Sequence, residues 1–311
     1  VPIAAREGKI IVDSLKDRVC IVTGAGRGIG RDHALFFASE GAKVVVNDLG
    51  GAADGSGADQ SPAQQVVDEI VAAGGEAVAN FDDVSSWAGA DALINQAVDA
   101  FGDLHVLVNN AGILRDRTMA NISEDEWDSV VKVHLKGHAA TTHFAGAYWR
   151  DQHKAGREVP RAIVNTASTS GLFGSIGQAN YGSAKSAIAT LTMITNAELK
   201  RYGVRVNAIA PAAATRLMGR EVPAPAEGEW NPLDPANVSP FVAYLSTAQC
   251  PINGRVFFVM AGEVHLFHPW AIVETIRKDG KWTVEELEKE SAVLHERQFD
   301  YGHPMGGRID G

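Results

Sequence analysis

TGAGRGIG, Thr23 to Gly30, lies between an apolar, β-branched run at 18–23 (RVCIVT) and a helical pattern at 29–40. A strand that feeds a glycine loop, which in turn opens a helix, is a ready anion site. The first N–H groups of the helix have no intrahelical partner, and the helix dipole favours negative charge there. Gly24, Gly28 and Gly30 allow the tight turn, the close approach of backbone to a pyrophosphate and the close packing of helix on strand that a dinucleotide requires. Glycine spacing alone is weak evidence; the strand before it and the helix after it give it weight. Gly24, Arg27, Gly28, Ile29 and Gly30 are therefore the candidate phosphate-side contacts.

Outward from this loop, short β-branched runs alternate with longer helical stretches. Strands are expected at 18–23, 43–47, 77–80, 106–109, 162–166, 205–209 and 256–259, and helices near 29–40, 63–73, 88–101, 124–149, 180–202 and 240–247. Runs such as KVVVN and HVLVN are nearly all apolar, as strands buried on both faces of a parallel sheet must be. Ser123 followed by Glu126 reads as a capping box, and Gly41 and Gly203 stand where helices should stop. The alternation predicts an α/β fold: a single Rossmann-like, doubly wound parallel sheet of about seven strands, with helices on both faces and a C-terminal extension. We read residues 1–16 as an N-terminal arm and 17–262 as the domain. Residues 263–311 are read as an extension packing on that domain or on a neighbouring subunit, with one helix at 284–295. Two further segments break the alternation: a flexible-looking insertion at 50–62 and an Ala/Pro/Glu-rich loop or lid at 212–235.

The bulk numbers agree with one sizeable core. Of the 311 residues 45% are hydrophobic and 21% charged, an ordinary globular balance. A net charge of -10 disfavours a nucleic-acid surface but leaves room for a local basic patch that meets an anionic substrate. Two cysteines far apart, Cys20 and Cys250, make no disulfide framework and fit a reducing compartment. No apolar run reaches the roughly 20 residues that cross a bilayer. The first residues lack the apolar core of a signal peptide, and the terminal RIDG is not the peroxisomal tripeptide address, so a cytoplasmic location is expected.

Eighteen residues beyond Gly30 stands Asp48, followed by Leu49, at the end of VVVND. A carboxylate there accepts hydrogen bonds from ribose hydroxyls and repels a 2′-phosphate, which favours NAD over NADP. Arg27 pulls the other way, since a guanidinium in this loop can meet a 2′-phosphate. Further along, Tyr181 and Lys185 are spaced to share one helix face, and Ser168 ends the strand before them. A phenol of pKa about 10 is a poor base at neutral pH. A neighbouring ammonium is expected to lower that pKa and let Tyr181 take or return an alcohol proton. Ser168 would hold the substrate oxygen, and Lys185 would also reach the nicotinamide ribose. No metal is expected, because His265 and His268 lack companion ligands nearby.

Taken together, TGAGRGIG, Asp48, NNAG (Asn109–Gly112), Ser168, Tyr181, Lys185 and RVNAIAP (Arg205–Pro211) resemble the short-chain dehydrogenase/reductase family, over about residues 17–262. A narrower likeness is to the (3R)-hydroxyacyl-CoA dehydrogenase units of peroxisomal multifunctional enzymes type 2, also called 17β-hydroxysteroid dehydrogenases type 4. It is carried by VVVNDLGG with its insertion, NNAGILRDR, VHLKG, FGSIGQANY and the continuation after Gly262. The resemblance implies that Asp83 and Val84 face the adenine, and that Asn110, Ala111 and Gly112 line the nicotinamide side. It also implies that Pro211, Ala214 and Thr215 cover the carboxamide, and that the long fourth and fifth helices pair in a homodimer or homotetramer. His134 stands where many family members carry Asn, as it does in the narrower group, and it is a candidate for the proton relay. Ala212 replaces the Gly that commonly follows Pro211.

The expected function is thus NAD-dependent interconversion of a secondary alcohol and a ketone, on a 3-hydroxyacyl-CoA thioester or a hydroxysteroid-like small molecule. Two alternatives stand beside it: an NADPH-dependent 3-oxoacyl or carbonyl reductase, and a non-catalytic dinucleotide sensor that kept the fold. Arg115, Arg117 and Arg216 fall where a CoA phosphate or plain solvent could meet them.

Overall fold

The computed structural model describes residues 13–57, 59–214 and 230–295. Eight strands form one sheet in the order β3-β2-β1-β4-β5-β6-β7-β8. They are β1 (Val19–Thr23), β2 (Lys43–Asn47), β3 (Glu76–Asn80), β4 (Val106–Asn109), β5 (Arg161–Thr166), β6 (Val204–Ala212), β7 (Val256–Met260) and β8 (Glu263–Leu266). All neighbours pair in parallel except β7 and β8. From β1 the chain winds outward through β2 and β3, then returns to β4 on the other side of β1. The strand order therefore reverses between β1 and β4, and the crevice beyond their carboxyl ends is where such sheets hold ligands.

The apolar runs fill both faces of the sheet. Cys20, Val22, Val44, Val46, Val106 and Val108 enter one core, which is closed by the helices α1 (Gly28–Ser39), α2 (Ser61–Ala72) and α8 (Ser239–Ser246). Their alternates Val19, Ile21, Val45 and Leu107 enter the other, under α3 (Trp87–Phe101) and α5 (Gly137–Lys154), with Trp149 of α5 fully buried. A period of two along each strand feeds two cores, as a sheet covered on both sides requires.

The stretch expected as one helix at 124–149 is three pieces. α4 (Glu124–Val131) starts at the Ser123–Glu126 capping box, a π-helical turn spans Lys132–Lys136, and α5 then runs on to Lys154. Two helices follow β5: the short α6 (Thr169–Leu172), which periodicity did not disclose, and the long α7 (Ala179–Leu199), which carries the Tyr–Lys pair. Gly41 and Gly203 do end helical segments, both with positive φ. β8 is an eighth strand that the sequence reading lacks. It is four residues long and exposed throughout (EVHL), so its alternation is too short to stand out and buries no apolar face.

The chain divides into two compact units, Val1–Leu266 and Phe267–Gly311. In the second, Thr283 and Glu286 form a reciprocal capping box at the start of α9 (Val284–Glu290). Lys278 Nζ is 2.5 Å and 2.6 Å from the two Glu286 carboxylate oxygens. The helix expected at 284–295 is interrupted at Ser291 before α10 (Ala292–His295). No helix among the described residues is long and apolar enough to cross a membrane.

Candidate active site

The glycine loop is fixed by contacts that leave no room for side chains. Gly24 has φ +63°, and a Cβ there would lie 2.7 Å from Ala111 Cα. A Cβ on Gly30 would overlap the Gly24 carbonyl and the Asn110 amide. Asn110 Nδ2 donates to the Thr23 and Gly24 carbonyls at 3.0 and 3.1 Å. The Thr23 hydroxyl accepts from the Asn110 and Ala111 N–H groups at 2.9 and 3.1 Å. β1 and β4 are thus tied together at the point where the strand order reverses. Helix α1 begins without a side-chain cap at Arg27 and without an acidic residue in its first turn. Its dipole and leading N–H groups are left for an anion, so this cradle fits a dinucleotide phosphate.

Asp48 lies against the same loop. One carboxylate oxygen accepts from Gly26 N–H at 2.8 Å and the other from Gly50 N–H at 2.6 Å. Leu49 beside it is exposed. Arg27 is exposed and turns its guanidinium to the Gly51 carbonyl at 3.3 Å. The insertion after β2 is folded back as a strap: Ala53 O accepts from Leu114 N–H at 3.0 Å and Asp54 O from Arg115 Nε at 2.8 Å. Asp83 accepts from both the N–H and the hydroxyl of Ser85 and lies 3.7 Å from Lys132 Nζ, while Val84 is buried. Pro211 pairs with Val259 near the end of β6, and Ala214 N–H donates to Leu233 O at 2.8 Å. Thr215 and Arg216 lie outside the described residues.

Ser168, Tyr181 and Lys185 come together beyond the carboxyl end of β5. Ser168 caps α6, its hydroxyl accepting from Ser170 N–H at 3.2 Å, and it lies close enough to the Tyr181 phenol to favour the phenolate. Tyr181 and Ser168 remain part-exposed, so a substrate can reach them. Lys185 is 2% exposed; its ammonium donates to Thr166 O at 2.6 Å and lies 5.5 Å from the centre of the Tyr181 ring. Burial without a carboxylate partner pulls its pKa down to about 7. The expectation that the ammonium lowers the phenol pKa needs correcting. Burial raises the Tyr181 pKa, the Ser168 hydroxyl lowers it, and the Asp116 charge raises it again. Desolvation of the phenolate outweighs the neighbouring hydroxyl, and the Lys185 ammonium is held by the Thr166 carbonyl.

His134 sits in the π-helical turn, 1% exposed, its ring edge-on to Tyr181 at 5.1 Å between centroids. Its Nε2 lies 2.8 Å from the Ile113 carbonyl and 3.1 Å from the Ile113 N–H, while its Nδ1 has no hydrogen-bond partner. Burial first, and then the charge of Lys185, hold its pKa well below the usual histidine value, so the ring is neutral. A Cβ on Gly112 would overlap the imidazole Cε1, so the glycine of NNAG is what admits the larger histidine. Such π-helical turns recur at functional sites.

Several residues at this end of the sheet escaped the sequence reading. Asn109, Asn165, Thr141, Thr142 and Thr192 form a buried side-chain ladder across β4 and β5, with the Asn109–Asn165 bond at 3.0 Å. His138, also buried, reaches Thr166 N–H at 3.4 Å. Asn180, just before Tyr181, is fully buried. Polar residues at strand ends and at a helix start were the available signal; isolated from their partners they read as turn or cap residues. Arg115 and Arg117 are engaged in ion pairs with Asp125 and Glu126.

The family model of the short chain dehydrogenases matches residues 18–225. The chain belongs to the short-chain dehydrogenase family. It is 43% identical to the hydroxyacyl-CoA dehydrogenase ChsB1 of Mycobacterium tuberculosis over 284 residues, covering 88% of this chain and 87% of that protein. It is 43% identical to peroxisomal multifunctional enzyme type 2 of Drosophila melanogaster over 85% of this chain, but spans only 42% of that longer protein. Among solved structures, a short chain dehydrogenase from Mycobacterium avium superimposes with a TM-score of 0.83 at 50% identity, over 92% of this chain and 97% of that one. As a short-chain dehydrogenase the protein is an oxidoreductase acting on CH–OH groups of small molecules with a nicotinamide dinucleotide.

Proposed function

We propose that this short-chain dehydrogenase interconverts 3-hydroxyacyl-CoA and 3-oxoacyl-CoA thioesters, with NAD as the preferred dinucleotide. The observation that carries the chemistry is the meeting of Ser168, Tyr181 and Lys185 beyond the strand-order reversal. The Asp48 carboxylate beside Gly26 supports NAD, since a 2′-phosphate placed there meets a like charge. The thioester class rests on the similarity to a protein named as a hydroxyacyl-CoA dehydrogenase.

Gly24, Arg27, Gly28, Ile29 and Gly30 would hold the pyrophosphate, with Asp48 and Leu49 at the adenosine ribose and Asp83 and Val84 at the adenine. Asn110, Ala111, Gly112, Pro211, Ala214 and Thr215 would face the nicotinamide end. When bound, the dinucleotide supplies the hydride acceptor or donor. The Ser168 hydroxyl holds the carbinol oxygen, the Tyr181 phenolate takes the hydroxyl proton during oxidation, and the Tyr181 phenol returns it during reduction. Lys185, anchored on Thr166 O, supports the tyrosine and would reach the nicotinamide ribose; neutral His134 holds the Ile113 backbone. Because the protein raises the Tyr181 pKa, the oxidation rate should climb with pH into the alkaline range, and the reduction rate should stay level through neutrality.

A panel of 3-hydroxyacyl-CoA thioesters, hydroxysteroids and simple alcohols, each with NAD and NADP, tests the substrate and the dinucleotide at once. Preference for the phosphorylated dinucleotide would overturn the Asp48 reading, and absence of thioester turnover would overturn the substrate class. Tyr181→Phe should abolish turnover while leaving dinucleotide binding intact; unchanged turnover refutes the chemistry. A homodimer or homotetramer through the faces of α5 and α7 completes the reading. Light scattering on the purified protein checks it, and a monomer would refute it.

A further inference from the structure

The catalytic tyrosine is the third residue of α7, and a helix start is the part of a helix most prone to fray. Something has to fix it. Asn180, one residue earlier, is fully buried, and each polar atom of its side chain is used. Its Nδ2 donates to Arg115 O at 3.0 Å and to Glu126 O at 2.9 Å, and its Oδ1 accepts from Tyr181 N–H at 2.7 Å. One amide therefore joins three elements: the connection after β4, the first turn of α4 and the backbone of Tyr181 itself.

The surroundings make this the inner member of a clamp. Arg117 N–H donates to Gly177 O at 2.8 Å, Arg117 and Gln178 form an isolated parallel bridge, and Gln178 Nε2 donates to Asp116 at 2.8 Å. Those contacts involve exposed side chains or backbone at the surface; the Asn180 contacts lie inside. The clamped segment is continuous with Asn110–Ile113, which packs on the glycine loop and on His134. The strap after β2 is docked on Leu114 and Arg115 between them. Only an amide fits the three contacts: a carboxylate would face two carbonyls with no proton to give, and a shorter side chain cannot span them.

We infer that Asn180 is a positioning residue for the reaction, holding the Tyr181 hydroxyl in register with Ser168 by locking the first turn of α7 to the β4–α4 connection. The inference rests on Tyr181 being the acid–base group, as proposed above. A misplacement of about 1 Å at a reacting group can cost about a hundredfold in rate.

The test compares wild type with Asn180→Ser, a mild variant chosen to fold, and Asn180→Asp, which keeps the shape and loses the donors. Three quantities are read: kcat and KM for the thioester and dinucleotide that turn over best, the dinucleotide dissociation constant, and the tyrosinate absorbance titration of Tyr181. The last is obtained by difference from the matching Tyr181→Phe protein and needs no turnover. Positioning demands that kcat fall about tenfold or more in Asn180→Ser and further in Asn180→Asp, with the dinucleotide constant within about twofold. It also demands that the Tyr181 titration move down toward the ordinary phenol value, because burial is the main cause of its elevation and a loosened helix start admits water. An unchanged kcat, or an unmoved titration in folded Asn180→Ser, overturns the inference. Should Tyr181→Phe itself keep full turnover, the chemistry fails rather than the positioning, so the two failures are told apart.

Discussion

Arg161 and Lys185 are buried cations at opposite ends of one strand: Arg161 opens β5, and Lys185, on α7, reaches the carbonyl of Thr166 at its carboxyl end. Arg161, 1% exposed, meets the Asp103 carboxylate through both guanidinium arms at 2.9 and 3.3 Å, reaches the Leu104 carbonyl, and lies 5.7 Å from the Tyr148 ring centre. Tyr148 donates to the same carboxylate at 2.8 Å, and Trp149 Nε1 donates to Leu104 O at 2.8 Å. Lys185 forms no ion pair among the described residues and keeps only the Thr166 carbonyl within hydrogen-bond reach. Burial accordingly pulls its pKa to about 7, whereas Asp103 is held below the usual carboxylate range: burial pushes it up, but Arg161 and Tyr148 hydrogen bonds more than offset this. Around Arg161 the charges are matched and serve stability, although the Arg18 and Arg205 Nε atoms at the amino ends of β1 and β6 lack partners among the described residues. The carboxyl end leaves a cation, a neutral histidine nitrogen and the Thr166 hydroxyl incompletely satisfied, which is how a reactive site is kept poised.

The contrast can be broken most sharply at Lys185. Lys185→Met should reduce turnover by about a thousandfold. It should also leave the melting temperature unchanged or higher, because an unpaired buried cation is replaced by an apolar chain of similar length. Steady-state kinetics beside calorimetry checks this; lost stability with retained turnover would reverse the comparison. Next in size, Arg161→Met strands the Asp103 carboxylate and should cost about 3–5 kcal/mol in denaturant unfolding, with kcat per folded molecule within about twofold of wild type. A large kcat defect there would mean that the two ends are coupled.

Gly112→Ala should be smaller in stability, about 1–3 kcal/mol, since the added methyl must displace the His134 ring. Its turnover should fall with the displaced ring, and Gly112→Ala combined with His134→Asn should recover much of the stability, which a double-mutant cycle measures. The comparison can also be sharpened through pH dependence. A lysine whose folded pKa is lowered to about 7 gives stability that is complete above its unfolded pKa and declines as pH falls toward 7. Wild type should therefore gain stability from pH 7 toward pH 10 by this group, and Lys185→Met should flatten that rise. At the amino end, burial lowers the His105 pKa to about 4, so its contribution is present above the unfolded histidine pKa and lost as pH falls toward 4. A melting series of His105→Asn against wild type should show that acid loss reduced.

Much of this was legible before any coordinates. The strands at 43–47 and 106–109 match their expected bounds because an all-apolar run between glycine-bearing turns has few other uses. The glycine loop and the Tyr181–Lys185 pair were legible for a related reason: their chemistry depends on local spacing, four residues on one helix or three glycines in one turn. The eighth strand, the π-helical turn and the Asn180 clamp were not. The turn and the clamp each depend on a partner far along the chain, His134 filling the space above Gly112 and Asn180 reaching Arg115 and Glu126, whereas β8 pairs with its neighbour β7 but is too short and exposed to stand out.

The sequence by itself determined the alternation of strands and helices and the glycine loop between β1 and α1, and it singled out Asp48, Ser168, Tyr181 and Lys185 as the candidates for ribose binding and proton transfer. These follow from periodicity and from the ligand chemistry of residues close in the chain. Only the tertiary structure decided the electrostatic state of the site: that burial raises the Tyr181 pKa, that Lys185 is desolvated without a carboxylate, and that one His134 nitrogen is left unpartnered. The physical reason is that desolvation and hydrogen-bond satisfaction are properties of a three-dimensional neighbourhood, and residues 113–117, 134, 166–168 and 180–185 become neighbours only when the sheet closes.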